Sequence, residues 1–302
     1  LNLDYQILFK RTDEWENDWL SELSPYSNRQ FQVLKDCFHC ITSERTKWRT
    51  FEKITKELIK ETKIDDAIEF VQSATSDSFI SSSMYLIVQK LIDLGELEKA
   101  LIYAHEISVN QTKSSAYKEI ASAFFKLGIN DQANDLLNEA LTCARSVKSD
   151  NIKSEALVEI SNELFEQMKV KEAELVLEEA IESAMRLGKE FGDQSLALKA
   201  IYTEMAKQGK TEKALLSVRE LDNNFEDKSL ALYSIFAILN NQGKMEDASF
   251  VLKEALECAR NISLNEWKQS ALVEISAELT KLGKIEEASA LIDESVRGIK
   301  MM

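Results

Sequence analysis

The chain has 302 residues, with 52 Asp and Glu against 37 Lys and Arg, a formal charge of −15. That balance excludes nucleic acid and anionic membrane surfaces as main partners, since both call for a basic footprint. One proline and eight glycines in a chain that is 44% hydrophobic are too few breakers for a sandwich, a barrel or a doubly wound sheet, so the composition reads all-α with enough apolar material for a large core.

In chain order, the first 45 residues stand apart. The start, Leu1 to Gln6, has neither the basic nor the apolar region of a signal peptide. Thr12 or Asp13 caps a predicted helix that runs to Leu23 with Trp15, Trp19 and Leu20 on one face, and Pro25 ends it. A second predicted helix, Asn28 to Ile41, aligns Phe31, Leu34, Cys37, Phe38 and Ile41. Residues 1–45 are expected to form an N-terminal helical cap or, equally, a decayed repeat. Cys37-Phe38-His39-Cys40 carries metal-ligand residue types, but a zinc site needs four N or S ligands and no second cluster follows. The cysteines read as reduced packing residues, and no metal or cofactor is expected. No run of about 18 apolar residues occurs, so no membrane span is expected and the reading is a cytoplasmic chain.

From residue 46 onward a short block repeats. Leu94-Gly95-Glu96-Leu97-Glu98-Lys99-Ala100 returns at Gly128, Gly209, Gly243 and Gly283, and in degenerate form at Thr62 and Met168. Counted from these seven anchors, position −8 is always Ile (Ile54, Ile87, Ile120, Ile160, Ile201, Ile235, Ile275) and position +5 is always Ala (Ala67, Ala100, Ala133, Ala173, Ala214, Ala248, Ala288). Position −4 is a large apolar residue and +9 is apolar. Offsets of −8 and −4, then +5 and +9, are helical spacings on either side of a break. Each unit therefore predicts a first helix (A), a left-handed turn at the anchor and a second helix (B) opened by an acid that suits its dipole. Glu139–Arg145 matches Glu254–Arg260 closely, which points to a duplication of several units. The last helix, Glu286 to Met302, lines up Ala288, Leu291, Ile292, Val296, Ile299 and Met302 with no helix after it, so an open end able to stack on a second copy is one expectation.

The turn Gly, the Ala five later and a small residue twelve later (Ala74, Ala140, Ala180, Ala255) resemble the tetratricopeptide repeat family over residues 46–302. The closing proline of that family is absent, and several units run to 40 or 41 residues. The resemblance implies a right-handed α-α superhelix of about seven helix-turn-helix repeats that binds a protein or peptide on its concave face.

On the A helices, offsets −10, −6 and −3 lie opposite the core isoleucine. They hold a single acid, Glu52, beside aromatic, amide, hydroxyl and lysine side chains, in a chain otherwise rich in carboxylates. Tyr85, Gln89, Lys118, Ser122, Asn162, Lys199, Thr203, Tyr233 and Asn240 are the candidate peptide-binding residues. Ile92, Phe125 and Phe165 at −3 read equally as core. The family's clamp for a peptide terminus is incomplete, because Lys118 is followed by Ser122 and Asn162 has no lysine partner. Carboxylate pairs such as Glu178-Glu179 and Glu286-Glu287 read as solvating charges on B helices. With two histidines, no phosphate loop, no dinucleotide fingerprint and no HExxH, no enzymatic activity is expected. The functional expectation is a non-enzymatic binding scaffold or adaptor; the alternatives are a self-assembly module and a peptide-sensing regulator.

Overall fold

A computed structural model of the chain describes residues 44–187, 193–221 and 225–300. The predicted cap helices over residues 1–43, with Cys37, His39 and Cys40, lie outside these. Among the described residues there are fourteen helices and no strand. They are α1 (Glu44–Lys60), α2 (Ile64–Gln72), α3 (Asp77–Asp93), α4 (Leu97–Glu106), α5 (Asn110–Lys126), α6 (Asn130–Arg145), α7 (Asp150–Glu166), α8 (Val170–Met185), α9 (Asp193–Lys207), α10 (Thr211–Glu220), α11 (Phe225–Asn241), α12 (Met245–Arg260), α13 (Asn265–Lys281) and α14 (Ile285–Lys300). Odd-numbered helices are the A helices of the repeat and even-numbered ones the B helices. No helix among the described residues is long and apolar enough to cross a membrane.

The turns explain the pattern of anchors. All seven anchor residues have positive φ, from 61° at Thr62 to 77° at Gly128 and Gly209. Each turn closes with the same two bonds. At Gly95 the anchor N–H donates to the carbonyl of Ile92 at 2.9 Å, and the next N–H, of Glu96, reaches back to Leu91 at 2.9 Å. At Met168 the partners are Phe165 and Leu164, both at 2.9 Å. This six-to-one and five-to-two pairing ends an A helix and satisfies its orphan carbonyls. Glycine enters the left-handed region without penalty, whereas a residue with a Cβ pays about 1–2 kcal/mol there. Thr62 and Met168 adopt it because the surrounding helices dictate the turn. The Met168 side chain is 82% exposed and contributes little packing. Met168→Gly is therefore expected to stabilise the chain by about 0.5–1 kcal/mol, the left-handed penalty less the extra backbone freedom of glycine when unfolded. Urea unfolding checks this.

The chain divides into two compact units between Ile87 and Val88, within α3. In the first, α1 packs on α2, and Phe51, fully buried, lies 4.8 Å from the Phe70 ring and 5.9 Å from that of Phe79. In the second, each A helix from α5 to α13 packs on the next A helix, and each B helix from α4 to α12 wedges against the A helix that follows it. The result is two layers. All seven −8 isoleucines, all seven −4 residues and all seven +5 alanines are buried.

Three positions depart from expectation. Ile292, at +9 of the last repeat, is 45% exposed, whereas the +9 residue of every other repeat is buried. Ala74 lies beyond the end of α2 and is only half-buried, so it does not serve as a helix-packing residue. Ala206, placed at −3 on the open face, is fully buried. The suspected duplication is visible in geometry. Ser114 donates to the Ala140 carbonyl at 2.9 Å and Ser229 to the Ala255 carbonyl at 3.2 Å, and each of these four residues lies 115 positions from its counterpart.

Candidate functional site

The A-helix face of the second unit places Gln89, Lys118, Ser122, Asn162, Lys199, Thr203, Tyr233 and Asn240 at half-buried or exposed positions, and seals none of them in the core. Tyr85, also half-buried, belongs to the first unit. Ile92, Phe125 and Phe165 are half-buried, lining the face rather than leaving it.

One contact reveals the form of this face. The Lys199 ammonium on α9 lies 3.3 Å from Glu274 on α13, two repeats away, and 5.8 Å from the centre of the Tyr233 ring on the intervening α11. A contact that skips one helix of the layer ties α9 to α13 over the face of α11 on this side. The Tyr233 hydroxyl donates to Glu278 at 3.4 Å, and burial together with Glu278 and Glu274 pushes its pKa up to about 12.

The same arrangement recurs along the layer. Lys118 on α5 pairs with Glu159 on α7 at 2.6 Å, and Gln89 on α3 donates to Glu119 on α5 at 3.3 Å. Beside that last bond lies a groove of about 390 Å³ lined by Ile92, Gly95, Glu119, Ser122, Ala123 and Lys126, with Leu97 and Leu127. The face is thus not poor in acid. Its acids, Glu119, Glu159 and Glu274, stand at position −9, one residue outside the −10, −6 and −3 positions that helical phase puts opposite the core isoleucine. Each of these three glutamates turns in to meet an earlier A helix. Thr203 donates back to the carbonyl of Lys199 at 2.6 Å, so its proton is committed to its own helix.

The B layer is held differently. Arg145 of α6 grips Glu179 of α8 through two bonds of 2.8 and 2.6 Å, and Arg260 of α12 grips Glu294 of α14 in the same way at 3.0 and 2.9 Å. Lys213 of α10 reaches both Glu174 and Glu178 of α8 at 2.6 Å. Hydrogen bonds from Lys210 and Lys213 hold the Glu174 carboxyl down at about 2, so this link stays charged well below the usual carboxylate range. Glu178 and Glu179, expected to be solvating charges, keep that exposure and also link neighbouring B helices. Their partners lie some 35 residues away, where helical spacing gives no hint of them.

Cys143 and Cys258 are free and half-buried, and burial raises both thiols above their ordinary value against the lowering pull of Lys113 and Lys228. A thiol held protonated is a packing group, not a nucleophile. Among the described residues no group of three or more His, Cys, Asp or Glu gathers as a metal centre would require.

No protein-family model matches the chain, and no curated protein matches it. Among solved structures, aspartyl phosphate phosphatase F from Bacillus subtilis is similar at 12% identity and a TM-score of 0.45, over 98% of this chain and 79% of that one. A Rap protein complexed with competence and sporulation factor is similar at 14% identity and a TM-score of 0.40, over 93% and 82%. Ton1535 from Thermococcus onnurineus NA1 is similar at 13% identity and a TM-score of 0.38, over 83% and 99%. The assignment rests on this chain's own helices and turns: it is an all-α tandem array of degenerate, tetratricopeptide-like helical hairpins.

Proposed function

We propose that the chain is a non-enzymatic scaffold or adaptor that captures a protein or peptide segment along a concave A-helix face of its second unit. The observation that supports this is the Lys199–Tyr233–Glu274 contact across three successive A helices, which ties them together on that side and lines it with polar and aromatic groups. Concave solenoid faces offer a long continuous surface to an extended segment. A photo-crosslinking residue at Asn162, exposed on this face, is expected to trap bound partners from a lysate of the source cells. The same residue at Glu182, exposed on α8 of the other layer, is expected to trap none. Equal trapping at both positions, or trapping at Glu182 alone, would remove the binding role from this face.

A second reading, self-association through α14, is favoured by Ile285, Ile292 and Val296, all exposed along that helix.

A further inference from the structure

We infer, resting on the binding role just proposed, that the captured segment is positively charged: an extended stretch whose Lys or Arg side chains sit on the outward carboxylates of Glu159 and Glu274. Lys118 and Lys199 are the basic side chains among the candidate residues of this face. The structure places those lysines behind their partners. The Lys118 side chain is 20% exposed and that of Glu159 43%; Lys199 is 31% exposed and Glu274 44%. A ligand approaching from the open side therefore meets carboxylate first.

Each carboxylate also has capacity left. Lys118 takes Oε2 of Glu159, and Lys199 takes Oε2 of Glu274, so in both the Oε1 atom is not engaged by the lysine. A carboxylate accepts about four hydrogen bonds, and a guanidinium or ammonium from a partner would complete the set with charge-assisted bonds. An acidic ligand would first have to pull the lysines off these glutamates and would then lie beside the freed carboxylates. The Tyr233 ring, already within 5.8 Å of the Lys199 ammonium, is a surface that favours cations. The chain's charge of −15 adds long-range attraction of the same sign.

The test uses three fluorescein-labelled peptides of equal length, in which Ala alternates with Arg, with Ser or with Glu, read by anisotropy against the full chain. The Arg peptide is expected to bind, the Ser and Glu peptides not. E159Q/E274Q is expected to weaken Arg-peptide binding about tenfold or more, whereas E246Q/D247N, which removes the same charge from exposed positions on α12, leaves it nearly unchanged. K118M/K199M uncovers the glutamates and is expected to tighten binding. Thermal melts establish that every variant is folded. Equal loss in both glutamate variants would reduce the effect to net charge and overturn the inference. So would weaker binding by K118M/K199M, or a Ser or Glu peptide that binds as well as the Arg peptide. If the charge preference fails while Asn162 still traps partners, the polarity is wrong and the binding face stands; if trapping at Asn162 fails too, both fall.

Discussion

Ile160→Ala is expected to lower stability by about 2–5 kcal/mol, measured by urea unfolding. Ile160 is 1% exposed on α7, and α7 packs on α5, α6, α8 and α9, so the lost methylenes leave a cavity with packed helices around it. The matching control is Ile292→Ala. Both residues are apolar members of the repeat pattern, but Ile292 is 45% exposed, and its truncation is expected to change stability by no more than about 0.5 kcal/mol. Similar costs at the two sites would mean that periodicity, not burial, sets the energetics, and the layered packing would be wrong. The site of the damage is also specified. A repeat array is stabilised by nearest-neighbour interfaces, so amide exchange is expected to accelerate in α5–α9 before it does in α13 and α14.

The hairpins were legible in the sequence because their determinants are local. A left-handed residue, an isoleucine eight before it and an alanine five after it recur whatever the rest of the chain does. Even Thr62 and Met168 declared themselves, not by residue type but by standing at the offset where glycine stands elsewhere. The chemistry of the open face was legible only in part. Its helical phase puts Lys118, Lys199 and Tyr233 on one side of the A helices, and the structure leaves all three half-buried there. What they meet there is decided by residues 41 to 75 positions away, such as Glu159 and Glu274, and helical spacing within one repeat says nothing about register between repeats. The exposure of Glu178 and Glu179 follows from helical phase, but their partners on neighbouring B helices do not. Exposed ion pairs of this kind contribute only about 0–1 kcal/mol each, which is small beside the burial of a single −8 isoleucine. They set how B helices register against one another more than how firmly they fold.

Ala173→Leu tests the other half of each hairpin, and it is expected to destabilise by about 1–3 kcal/mol or more. Ala173 is fully buried in the first turn of α8, its N–H bonded to Lys169 at 3.0 Å and its carbonyl taking the Ser161 hydroxyl of α7 at 2.8 Å. A close crossing of two helices leaves no room for a longer side chain, so Leu must push α7 from α8 and break the bond from Ser161. The control is Ala290→Leu, an exposed alanine on α14, where the same added carbons face solvent and stability is expected to hold within about 0.5 kcal/mol. The consequence extends to binding, because Ser161 and Asn162 are adjacent on α7. Displacing that helix moves Glu159 and Asn162 relative to α5 and stretches the 2.6 Å pair between Lys118 and Glu159. Ala173→Leu is therefore expected to reduce trapping at Asn162 although it touches no residue of the open face. A variant that melts like the parent chain would mean that α7 and α8 tolerate a wider crossing, leaving the alanine at all seven equivalent positions without its packing reason.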